Sequence, residues 1–137
     1  MDCLFCKIIA GEIPAHRVYE DDAVIAVLDI KPVNPGHTLV IPRTHSDALH
    51  DADPETVASV ARATQRVGKA LLKAGLGSAF NVMQNNGGDA GQVIHHLHVH
   101  VVPRRAGDGF HHWPGTPYAS EAEAEQVAGM VRDATKA

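Results

Sequence analysis

His96, His98 and His100, each separated by one residue, are the most concentrated chemistry in this sequence. Imidazole titrates closest to neutrality of any side chain and serves as nucleophile, general acid or base, and metal ligand. The interleaved residues are Leu97, Val99 and Val101. In a strand, side chains two apart share a face, about 6.6 Å from one another. In a helix only residues three and four apart are neighbours, so this spacing would scatter them. Apolar, mostly branched partners favour the strand. The pattern predicts three imidazoles on one face and an apolar face turned into a core. Such a face could hold a metal, or attack phosphorus while neighbouring imidazoles steady the charge. The plain alternative is the polar face of an edge strand.

The stretch just upstream, Asn85 to Gln92, contains Gly87, Gly88 and Gly91 and reads as a loop. Glycines let backbone N–H groups turn together toward an anion and cradle phosphate. A glycine-rich loop alone is an ordinary turn. One that delivers the chain into a histidine-lined strand favours phosphorus chemistry.

A second group of reactive side chains sits near the start. Cys3 and Cys6 are the two cysteines of the chain. A reducing compartment disfavours a disulfide between them, and no thioredoxin-like context surrounds them. They read either as buried thiols or as paired metal ligands.

The elements that must position these groups follow from the pattern. Residues 3–10 read as a short helix stopped by Gly11. Segments 16–20 and 23–30 read as a hairpin, and 37–42 as a third, central strand. Asp53 and Pro54 mark the start of a long helix with Val57, Val60, Val67 and Leu71 on one side, ended by Gly75 or Gly77. Residues 79–84 and 97–102 read as the fourth and fifth strands. Ser120 and Glu123 fit a capping box that opens a last helix, with Val127, Val131 and Ala134 inward. The fold class is therefore α+β, with a five-stranded, mainly antiparallel sheet, one long helix and short terminal helices.

All 137 residues read as one domain, with a core over 2–104 and a C-terminal loop and helix over 105–137. Hydrophobic content is 45%, enough for one core, and the net charge of −4 argues against nucleic acid as a partner. No apolar run is long enough for a membrane span, and the first residues lack a signal-peptide pattern, which makes the cytoplasm the expected location.

The segment His96-Leu97-His98-Val99-His100-Val101-Val102 resembles the His-x-His-x-His motif of the histidine triad (HIT) family of nucleotide hydrolases and transferases. Phe5, Asp29, Gly36-His37, Ile41-Pro42, His45, Asn85, Gly91-Gln92 and Pro103-Arg104 look like further landmarks in family order. The resemblance implies the same α+β architecture and a twofold homodimer, with Trp113 near the partner's pocket. It implies binding of purine nucleotides and attack by His98 on the α-phosphorus, through a nucleotidyl-histidine intermediate. His100, Asn85 and the backbone at Gly91 and Gln92 would hold the phosphate, with His96 completing the catalytic triad. Asp29 would bind ribose, although on its own it reads as a turn former at a strand end. Phe5, Ile8, Ile13 and Ile30 would form the wall for the base, although by type each suits a core. The chemistry itself would need no metal.

The resemblance also bears on the cysteines. Some bacterial members carry a structural zinc, and Cys3, Cys6, His45 and His96 match its ligand pattern; two thiolates and two imidazoles suit tetrahedral zinc. One position departs from the phosphoramidase branch: Val93 stands where that branch has a serine. Valine cannot pass a proton to a departing amine, so adenylates or dinucleotide polyphosphates gain ground as substrates.

Two other functions compete. One is a non-catalytic nucleotide-binding regulatory module. The other is a zinc-dependent hydrolase with triad histidines as ligands; it would want nearby carboxylates, and only Asp89 is close. His16, His37, His50 and His95 read as structural or solvent-facing, and His111 and His112 as part of a surface loop.

Overall fold

The computed structural model describes residues 2–111 and 113–136; His112 of the C-terminal loop lies outside them. The chain runs α1 (Leu4–Ile9), β1 (Arg17–Glu20), β2 (Val24–Leu28), β3 (Thr38–Pro42), α2 (Pro54–Lys73), β4 (Ala79–Met83), β5 (Val99–Arg104) and α3 (Glu121–Ala134). Single 3-10 turns lie at Leu49–Asp51 and Gly88–Ala90. The five strands form one sheet in the order β1-β2-β3-β5-β4, and every neighbouring pair is antiparallel. The expected α+β architecture is thus observed. No helix among the described residues is long and apolar enough to cross a membrane.

Strand alternation divides the core into two layers. Val24 and Ala26 of β2, Val40 of β3, and Val99 and Val101 of β5 face α2, where Val60, Val67 and Leu71 meet them. Ile25, Val27, Leu39 and Ile41 face the other way and pack with Phe5 and Ile8 of α1. Because Val99 and Val101 point to α2, the alternating His98 and His100 are left on the α1 side. Gly68 of α2 permits close approach of β4: a Cβ there would sit 2.4 Å from the Phe80 ring.

Helix starts follow the expected chemistry. The Asp53 side chain accepts from the Glu55 N–H at the head of α2, and Ser120 accepts from Glu123 at the head of α3. Gly75, with φ of 76°, follows the end of α2.

Two expectations need correction. The fifth strand begins at Val99, not at residue 97. Leu97 N–H donates to the Ser46 carbonyl at 2.8 Å, so this part of the chain pairs with a loop instead of a strand. The stripe on α3 is not inward: no residue of that helix is buried, and Val131 is 59% exposed.

Candidate functional site

A cleft of about 430 Å³ opens on the α1 side of the sheet. Phe5, Ile8, Ile13 and Leu39 make an apolar wall, with Ile30 at the mouth, 88% exposed. Asp29, Asn85, Gly91, Val93, His98 and His100 supply the rest of the lining named in the sequence. The size and the mix of apolar wall and convergent polar groups suit a small organic ligand. A second hollow of about 230 Å³, between α2 and β1, is lined by none of the triad histidines or cysteines.

The imidazoles are held in defined tautomers, because a carbonyl oxygen or a backbone N–H leaves its partner nitrogen one role. His98 Nδ1 lies 2.8 Å from the His96 carbonyl oxygen, so Nδ1 carries the proton and Nε2 keeps its lone pair. Burial holds the His98 pKa below the ordinary value, so this neutral form persists at neutral pH. Phe5 braces the ring edge-on at 4.9 Å.

His37 completes the arrangement from outside the triad. The Val33 N–H donates to His37 Nδ1 at 3.0 Å, which puts the His37 proton on Nε2. That proton is donated to His100 Nδ1, 2.9 Å away. Neutral His100 must then carry its own proton on Nε2. Burial, followed by the nearby His98 and His37, lowers the His100 pKa to about 4. The cleft is therefore served by one imidazole with a free lone pair, His98, and one with an N–H to give, His100.

His37, read from sequence as structural or solvent-facing, is buried at 4% exposure and belongs to this network. Its place could have been found from the hairpin. Leu28 pairs with Thr38, so the next pair outward is Asp29 with His37, and Asp29 N–H donates to the His37 carbonyl at 2.9 Å. The Asp29 carboxylate lies 3.6 Å from His37 Nε2, and its other oxygen accepts from Lys31 N–H at 2.8 Å. Asp29 is thus both the turn former and a cleft residue.

Two sequence-predicted residues do not enter the cleft. The side chain of Gln92 accepts from Gly87 N–H and donates to the carbonyls of Asp47 and Ile94. It braces the 85–92 loop, whose backbone is the part that the resemblance assigns to the phosphate. At Gly91, φ is 94°, a conformation that favours glycine. His96 is fully buried, and its ring turns away toward the cysteines. His16, His50 and His95 are exposed, as expected.

Cys3, Cys6, His45 and His96 bring one potential ligand atom each to within 4.8 Å of one another. His96 Nε2 donates to the Pro42 carbonyl at 2.8 Å, which leaves Nδ1 unprotonated and aimed at Cys3 Sγ, 3.4 Å away. His45 Nε2 lies 3.3 Å from Asp47 Oδ1, so its Nδ1 also turns inward, 3.0 Å from His96 Nδ1. Outer hydrogen bonds that fix the inner nitrogen as a lone pair are the usual support of metal-ligating histidine. Burial, then the neighbouring Cys3, raises the Cys6 thiol pKa, a cost that a bound dication reverses. Two sulfurs and two nitrogens fit tetrahedral zinc.

Asp29, His37 and His100 also lie close enough to share an ion. Their hydrogen bonds argue against it, because His37 Nε2 is committed as a donor to His100. That weakens the zinc-hydrolase alternative.

The comparisons with known proteins agree with this geometry. The HIT domain model matches residues 10–107. The chain belongs to the HIT family. It is 43% identical over 107 residues to an adenylylsulfatase of Arabidopsis thaliana, covering 78% of this chain and 54% of that protein. The chain thus spans about half the length of that relative. It is 34% identical to an adenosine 5'-monophosphoramidase of Schizosaccharomyces pombe, covering 96% of this chain and 100% of the other. A crystal structure of a zinc-bound histidine triad family protein from Mycobacterium smegmatis superposes with a TM-score of 0.78 at 39% identity, covering 98% of each chain. HIT relatives thus include hydrolases named for nucleotide substrates and a member that binds zinc.

Proposed function

We propose that this HIT protein hydrolyses nucleotidyl compounds, or transfers their nucleotidyl group, at the α-phosphate of a purine nucleotide. The observation that carries this is the opposed pair of tautomers: His98 with a free Nε2 and His100 with an Nε2–H, both lining one cleft. His98 Nε2 forms a bond to phosphorus as the bond from phosphorus to the leaving group breaks. The leaving group departs with that electron pair, and His100 Nε2–H hydrogen-bonds the charge gathering on a phosphoryl oxygen. Water then displaces His98 from the nucleotidyl-histidine and releases the nucleoside monophosphate. Asn85 and the backbone at Gly91 support the phosphate, and Asp29 accepts from the ribose hydroxyls. Phe5, Ile8, Ile13 and Ile30 enclose the base.

Cys3, Cys6, His45 and His96 would hold a zinc ion that serves structure, not the reaction, since none of their ligand atoms is needed in the cleft chemistry. A reducing compartment such as the cytoplasm keeps these free cysteines as thiols. Two copies would pair along β4, an edge strand without lysine or proline that exposes 51% of Val82. The exposed stripe of α3 and the exposed Trp113 would be covered in the same dimer.

His98→Ala tests the assignment. Adenosine monophosphate binding persists in the variant while turnover of adenylates disappears, because the lost interaction is made in the transition state. Turnover near the wild-type rate would contradict the proposal.

A further inference from the structure

We infer that occupancy of the Cys3, Cys6, His45 and His96 cluster sets the affinity of the cleft for nucleotide; this rests on the proposed function. The link is α1, which with its N-cap Cys3 presents two faces. Cys3 and Cys6, three apart, face the cluster; Phe5 and Ile8, also three apart, face the cleft. A six-residue helix cannot hold itself together in isolation, so its position depends on what it is tied to. Cys3 caps the helix through its sulfur, which accepts from Cys6 N–H at 3.4 Å, so one ligand is also the N-terminal anchor. At the other end Arg17 donates to the Ile8 carbonyl at 2.8 Å.

Two contacts carry the state of the cluster into the cleft. Phe5 meets the ring of His96 at 5.9 Å and the ring of His98 at 4.9 Å, each edge-on. The His96 carbonyl also fixes the proton of His98. A metal held by Cys3, Cys6 and His96 would therefore tie the base wall and the Phe5 brace on His98 to one anchor. Without it, α1 would keep its apolar packing, the Cys3 cap and the Arg17 contact, and would lose the metal tie from its first turn to His45 and His96.

Binding linkage makes the inference testable from either end, since nucleotide must tighten zinc by the same factor that zinc tightens nucleotide. The full-length reduced protein is loaded with zinc, and zinc affinity is measured by equilibrium competition with a chromophoric chelator, with and without saturating adenosine monophosphate. Calorimetry gives nucleotide affinity for the loaded protein and for protein stripped under reducing conditions. About a tenfold gain in both affinities is expected. Zinc affinity unchanged by nucleotide would overturn the coupling, and this readout needs only folded, loaded protein. Failure to take up zinc would overturn it while leaving the nucleotide function standing. Failure of the loaded protein to bind nucleotide would overturn both.

Discussion

His37 Nε2 lies 2.9 Å from His100 Nδ1, and that bond decides which nitrogen of His100 offers a proton to the cleft. The backbone N–H of Val33 sets the direction by donating to the other nitrogen of His37. A residue outside the triad thereby fixes the polarity of a residue inside it.

His37→Ala removes the donor and frees His100 to present a lone pair to the phosphate. A hydrogen bond to a developing charge is worth about 1.5–3 kcal/mol, or roughly ten- to a hundredfold in rate. The expected result is a fall of that size in kcat with nucleotide binding retained. Steady-state kinetics beside calorimetry checks it; an unchanged kcat would remove His37 from the mechanism.

The depressed pKa of His100 predicts the pH dependence of stability. Folded His100 titrates at about 4 against an ordinary 6.5, so between these values the unfolded chain binds a proton that the folded one refuses. Its contribution is fully present above 6.5 and is lost as pH falls toward 4. Urea titrations across this window should give stability that falls with acid, and a slope smaller by up to one proton in His100→Gln. An identical slope would show that His100 carries no such shift.

Val93 lines the cleft and is 81% exposed, so it can meet a leaving group. A hydroxyl there could protonate a departing amine, which is a poor leaving group otherwise; an anionic phosphate or acid needs less help. General-acid assistance is worth about 10² to 10⁴ in rate. Val93→Ser should therefore gain mainly on an adenosine phosphoramidate and little on an adenylate with an acidic leaving group. Equal gains on both, measured as kcat/KM, would assign the bias to cleft shape.

Much of this site is legible in the sequence because residue type and spacing carry it. His98 and His100 share a face by alternation. Cys3, Cys6, His45 and His96 form a ligand set through the family resemblance, since the cysteines alone read equally as buried thiols, and all four meet. The rest depends on long-range partners. Gly36-His37 is a landmark of the resemblance, but the part His37 plays depends on Val33 and His100, which orient it. Gln92 follows a glycine in a phosphate-like loop, but its amide is used up by Gly87, Asp47 and Ile94. The alternation that starts at His96 predicts a longer strand than forms, because Leu97 bonds a loop carbonyl. The stripe of α3 reads as inward, but none of the described residues buries it.

The central claim is that His98 Nε2 becomes covalently bound to phosphorus. Wild-type protein mixed with an adenylate, quenched within milliseconds and kept alkaline to preserve a phosphorus–nitrogen bond, should carry one adenylyl group, located on His98 by peptide mass spectrometry. The His98→Ala protein should carry none. Rapid turnover with no adduct at any quench time, or an adduct on another residue, would contradict the account.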